Sequence, residues 1–118
     1  MQMIQAVIRP ERESEVVAAL EKTGFHGFTR LDVYGRGRQR GLRAGAVHYP
    51  ELAKVLLWVA VEDDQAERAL EAIRVAACSG NPGDGKLFSA RLEQWRTIRE
   101  RPQPAAVATP PPVRPSGA

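Results

Sequence analysis

Val55-Leu56-Leu57-Trp58-Val59-Ala60-Val61 is an unbroken apolar run between Lys54 and Glu62. A run of this kind reads as a β-strand buried on both faces. Upstream of it, residues 28–34 (FTRLDVY) intersperse Phe28, Leu31 and Val33 with polar residues, a second strand. Residues 35–50 carry four glycines and little hydrophobic periodicity, so they read as a long exposed loop. Before that, residues 11–23 place Val16, Val17, Leu20 and neighbouring alanines on one helical face, with Pro10 opening the helix and Gly24 ending it. Residues 3–9 (MIQAVIR) form the first strand. Downstream, Asp63-Asp64 caps a helix over residues 65–79, with Ala66, Ala69, Leu70, Ile73, Ala76 and Ala77 toward the core. A glycine-rich turn follows Gly80, then a fourth strand at 87–92 and a short terminal element at 95–99.

The order is βαββαβ, the ferredoxin-like split motif of an α+β sandwich. Right-handed crossovers put both helices on one face of a four-stranded sheet and leave the other face open. The apolar run on a central strand then calls for a partner on that face, so a homo-oligomer with a ligand cleft between subunits is expected.

The chain has 118 residues, enough for one domain. Residues 102–118 hold six of its nine prolines among Ala, Ser, Gly and Thr, the composition of a disordered tail. The folded unit is therefore about residues 1–101, with its exposed loop at about 36–53. No apolar run is long enough to span a membrane and the first residues lack a signal-peptide layout, so a cytoplasmic protein is expected. The single cysteine, Cys78, excludes an internal disulfide and a Cys-rich zinc site, and reads as a small packed residue. Seventeen Lys and Arg against fourteen Asp and Glu give a net charge of +3, too mild to require a polyanion. Fourteen of those cations are arginines, the side chain suited to bidentate anion contacts.

Two stretches could carry ligand chemistry. In Gly35-Arg36-Gly37-Arg38-Gln39-Arg40-Gly41, glycines let the backbone approach a phosphate while guanidinium groups neutralise it. The spacing is not that of a dinucleotide fingerprint, and a solvated basic hairpin is the plainer reading. Gly80-Asn81-Pro82-Gly83-Asp84-Gly85-Lys86 has P-loop spacing, but Leu87 stands where a magnesium-binding Ser or Thr is needed, and the loop runs from helix into strand. What survives is a glycine turn with amides and Lys86 to cradle an anion, or simply a helix cap and tight turn. Arg96 and Arg99 could reach phosphates across a subunit boundary. His26 and His48 have no partners at ligand spacing, Glu62-Asp63-Asp64 reads as a cap, and no acid–base or nucleophile set supports catalysis.

In order and at compatible spacing, MIQAVIRP, Gly24-Phe25-His26-Gly27-Phe28-Thr29, GRGRQRG, Lys54 and GDGKLF at 83–88 resemble the PII signal-transduction proteins across nearly all of residues 1–101. The resemblance implies a non-catalytic homotrimer that senses ATP, ADP or AMP in its three intersubunit clefts. It assigns Thr29, Gly37, Arg38, Gln39, Gly83, Asp84, Gly85, Lys86 and Arg99 to the nucleotide. It assigns Gln39 also to Mg²⁺ beside the phosphates, and Gln39 with Lys54 to a small anionic metabolite. The loop would then bind or release a target enzyme or transporter, with no nucleic acid and no membrane insertion involved.

The loop between Gly41 and Lys54 is shorter than in common family members, and Tyr49, beside Pro50, is no clear counterpart of their modified tyrosine. Thr97 and Arg99 stand where two arginines usually sit, so ATP is expected to lose affinity relative to ADP or AMP. These departures look like two branches, nitrogenase-associated regulators and a carbon-assimilation branch associated with carboxysome genes, with 2-oxoglutarate or bicarbonate as second ligand. The same strand order also fits an RRM-like RNA-binding domain, but the apolar run offers only Trp58 where stacking aromatics are required. A small enzyme of this fold lacks a candidate base or nucleophile.

Overall fold

The computed structural model describes residues 1–36, 42–44, 47–49 and 51–99. The expected tail at 102–118 and the sites at Gly37, Arg38 and Gln39 lie outside them.

Strand β1 (Gln2–Ile8) alternates half-buried and buried residues, with Ile4, Ala6 and Ile8 facing the core. Pro10 opens a 3-10 turn, Pro10–Arg12, that feeds helix α1 (Glu13–Lys22). That helix buries Val16 and Leu20 and leaves Val17 half-exposed. Gly24 ends it at φ +98°, where the N–H of Gly24 reaches Glu21 O at 3.0 Å and that of Phe25 reaches Leu20 O at 2.8 Å. This paired closure satisfies two terminal carbonyls and needs a left-handed residue. Strand β2 (Thr29–Gly35) follows, and Arg30 ties it to α1 through Glu13 at 2.6 Å.

The segment expected as a featureless loop contains a small ladder, β3 (Leu42–Ala44) with β4 (Val47–Tyr49). Leu42, Ala44, Val47 and Tyr49 alternate with other residues, and pairing of Ala44 with Val47 leaves two residues between the strands. Such short strands escape a periodicity reading. Strand β5 begins earlier than the apolar run, at Leu52, and ends at Val61. The 3-10 turn Asp63–Gln65 and helix α2 (Ala66–Ala77) come next, then β6 (Gly85–Arg91). The expected Asp63-Asp64 cap is absent: no side-chain cap bond forms, and the Asp63 carboxylate takes the Met1 ammonium at 2.9 Å instead. That charge pair holds the Asp63 carboxyl below its ordinary value. Residues 95–99 form neither helix nor strand, and Cys78, expected to pack, is exposed.

The sheet order is β2-β5-β1-β6 with every neighbouring pair antiparallel, the ferredoxin-like arrangement. Ile4, Ile8, Val55, Leu57 and Val59 meet Val16, Leu20, Ala69 and Ile73 in one core under the two helices. The expectation that β5 is covered on both faces holds on one face only within the chain. Register puts Leu31, Leu56, Trp58, Gln5 and Phe88 on the other face, where Trp58 and Leu31 are each 41% exposed and Phe88 53%. Among the described residues no helix is long and apolar enough to cross a membrane.

Candidate functional site

Residues 78–84 carry the chain from α2 to β6, and their glycines set the path. Gly80, Gly83 and Gly85 have φ of +86°, +92° and +116°, values that side-chain-bearing residues rarely adopt. Gly85 has a second reason. A Cβ there would lie 1.7 Å from the Val7 carbonyl oxygen, because β6 begins against the backbone of β1. Gly85 and Lys86 are thus strand residues rather than loop residues.

Asp84 organises the turn from within. One carboxylate oxygen accepts the N–H of Ser79 at 2.8 Å and of Gly80 at 2.9 Å. The other accepts the Ser79 hydroxyl at 2.5 Å and Arg9 Nε at 3.1 Å. These donors, Ser79 foremost, hold the Asp84 carboxyl far below the usual carboxylate range. The sign of the resulting pH dependence follows. Its contribution to stability is complete above about pH 4, the unfolded value, and is lost as pH falls toward the lowered folded value. An NMR titration should therefore show the Ser79 and Gly80 amides still held at pH 4. A midpoint for Asp84 at the ordinary carboxylate value would contradict this network.

Two cations, Arg9 just past β1 and Lys54 of β5, grip the same turn. Arg9 Nη2 donates to Pro82 O at 2.7 Å, and Lys54 Nζ donates to the Gly83 carbonyl. Lys54 is only 8% exposed, the one buried charged residue among those described. Burial pushes its ammonium pKa down, the nearby Arg9 adds to this, and Glu11 and Asp84 oppose it. Lys54 therefore lies in β5, with its ammonium turned to the 78–84 turn where β1 ends and β6 begins.

The assigned residues fall into two groups. Gly83, Asp84, Gly85, Lys86 and Lys54 gather around this turn, and Gly85 and Lys86 border a cleft of about 250 Å³ with Val7, Arg74 and Cys78. Thr29 opens β2 at the other edge of the sheet, opposite Trp58. Three interstrand steps, roughly 14 Å, separate the two edge strands. Beside Thr29 a cleft of about 410 Å³ is lined by residues 23–27 with Val61, Glu62 and Arg68, where the Arg68 guanidinium sits 5.8 Å from the centre of the Phe25 ring. Arg99 is exposed beyond Trp95 and joins neither group. Sequence reasoning missed Arg9, whose partners lie 73 and 75 residues away; only its place at the end of the first strand hinted at a role.

Comparison with known proteins matches residues 1–102 to the family model of the nitrogen regulatory protein P-II. A nitrogen fixation nifHD region glnB-like protein 1 of Methanococcus maripaludis is 44% identical over 101 residues, 86% of this chain and 96% of the relative. A nifHD2 region GlnB-like protein 1 of Methanosarcina barkeri is 42% identical over 98 residues, covering 83% and 93%. The nitrogen regulatory protein P-II of Bradyrhizobium diazoefficiens is 41% identical over 103 residues, covering 84% and 92%. With the antiparallel sheet, the two helices on one face and the glycine turn in the expected places, the chain belongs to the PII family of nitrogen-regulatory signal-transduction proteins, which are regulators and not enzymes.

Proposed function

We propose that this chain works as a homotrimer that senses adenine nucleotide and a small anionic metabolite between its subunits and regulates a target of nitrogen assimilation through its long loop. The observation that carries the reading is the separation of Thr29 from Gly83–Lys86 on opposite sheet edges. Within one chain the two groups stand at opposite edges of the sheet, whereas the edge of a second copy can bring a Thr29 beside the turn. The exposed Leu31, Trp58 and Phe88, with half-buried Leu56 on the same face, give that copy an apolar face on which to dock.

On this reading the turn supplies backbone donors, Lys86 supplies charge to the phosphates, and Gly37, Arg38 and Gln39 bind the same ligand, with Thr29 and Arg99 contributed by the neighbouring copy. Asp84 contributes by shaping the turn, since its oxygens already hold four protein donors. For the same reason it is no magnesium ligand, and Mg²⁺ would be held by phosphate oxygens with Gln39. Lys54 is the cation for the metabolite's carboxylate, which would compete with Gly83 for the ammonium. The names of the methanogen relatives favour the nitrogenase-associated branch over the carbon branch.

Calorimetry with ATP, ADP, AMP, 2-oxoglutarate and bicarbonate on the trimer tests this directly. Lys86→Ala should weaken every phosphorylated adenylate by about tenfold or more, the worth of one charge-assisted contact. Unchanged affinity in that variant, or ATP bound much more tightly than ADP by the wild type, would count against the assigned positions of Lys86 and of Thr97 with Arg99 respectively.

A further inference from the structure

The next step rests on the nucleotide reading above. Three consecutive residues of the turn direct an acceptor toward the end of the sheet: Pro82 O to Arg9 Nη2 at 2.7 Å, Gly83 O to Lys54 Nζ, and Asp84 Oδ1 to Arg9 Nε at 3.1 Å. Arg9 can take two of them because it follows Ile8, which pairs with Val55 on one side and Gly85 on the other. It therefore stands between Lys54 and Asp84, with Glu11 a more distant 3.9 Å from Nη1. A guanidinium is a rigid fork, so two simultaneous contacts fix both its own orientation and that of the atoms it holds.

In a trans peptide the C=O and N–H point in opposite directions. With the Pro82 carbonyl held by Arg9, the N–H of Gly83 is aimed away from the sheet end, and no described residue accepts it. Gly83 itself is at φ +92°, so the backbone reverses at this point, the setting in which successive amides form an anion-binding concavity.

We propose that Arg9 is a positioning residue of the phosphate turn: it touches no ligand, and by holding Pro82 and Asp84 it keeps the Gly83 amide directed at the bound anion. A direct contact from Arg9 to phosphate is the competing account, and the two differ in what a series of ligands will show. A charge contact gives a loss that grows with the number of phosphates. A misaligned amide gives a loss common to ATP, ADP and AMP.

The experiment measures affinities of the wild type, Arg9→Ala, Arg9→Lys, Asp84→Ala and the Arg9→Ala/Asp84→Ala double variant for the three nucleotides, with ligand-free amide exchange over residues 79–87. Arg9→Ala should lose about tenfold for all three and exchange faster across the turn. Arg9→Lys, able to reach one acceptor only, should recover part of the loss, and the double variant should lose less than the two single losses combined. Binding by Arg9→Ala equal to the wild type, a loss that rises from AMP to ATP, or additive losses in the double variant would each overturn the assignment. A wild type that binds no adenylate would overturn the nucleotide reading and this inference with it, a result separable from the others because it appears before any substitution is made.

Discussion

Gly85→Ala should remove most of the folded protein's stability margin, while Gly80→Ala, five residues earlier, should be mild. Both glycines have positive φ, +116° and +86°, so an L-residue is strained at either. At Gly80 nothing lies within 4 Å of the added Cβ, and the cost is that of the left-handed backbone, about 1 kcal/mol. At Gly85 the same atom would sit 1.7 Å from Val7 O and 2.8 Å from Val7 C, both backbone atoms of a central strand. Neither can rotate away as a side chain would, so β6 must separate from β1 at its start or the β1 backbone must move. Overpacking and strain together come to about 3 kcal/mol or more, a large part of a small domain's stability. Thermal unfolding of both variants decides it. Equal midpoints would mean that the approach of β6 to β1 is not what excludes a side chain at Gly85. Because the defect lies in the fold, lost nucleotide binding in a Gly85 variant would not by itself locate the ligand.

On the proposed trimer, Trp58→Asp should give single chains and abolish nucleotide binding, without harming the subunit core. Trp58 is 41% exposed in one chain, in a cross-sheet row running Thr29, Trp58, Gln5, Phe88. Its neighbours along β5, Leu57 and Val59, point into the core and are unaffected. A carboxylate in the middle of the proposed apolar interface carries a desolvation cost that packing cannot offset. Light scattering on the variant should give the mass of one chain, and calorimetry should find no adenylate heat, while circular dichroism keeps the α+β signature. A Trp58→Asp protein that stays trimeric would show that subunits meet elsewhere. A single-chain variant that still binds adenylate would show that one chain holds a complete site.

The two variants also separate what was legible in the primary structure from what was not. Local periodicity identified the four main strands and both helices, because each must present an apolar stripe or alternate row to one core. It missed β3 and β4, three residues each, and placed β6 late by assigning Gly85 and Lys86 to the turn. The glycine turn and Lys86 could be singled out because glycine and lysine have few other reasons to alternate there. The reason for Gly85 could not, since it is an atom of residue 7.

From the order of its elements alone, this chain dictated a four-stranded antiparallel sheet with helices on one face, since handed crossovers and apolar periodicity are properties of contiguous segments. The ordered motifs along the chain likewise pointed to the family. Tertiary structure alone decided that Asp84 works inward on Ser79, Gly80 and Arg9, that Lys54 is buried against Gly83, and that Thr29 and Lys86 stand on opposite edges of the sheet. The Arg9 and Lys54 contacts depend on which strand ends meet in register, and the edge positions on strand order; both are set by packing across residues far apart in the chain rather than by any local pattern.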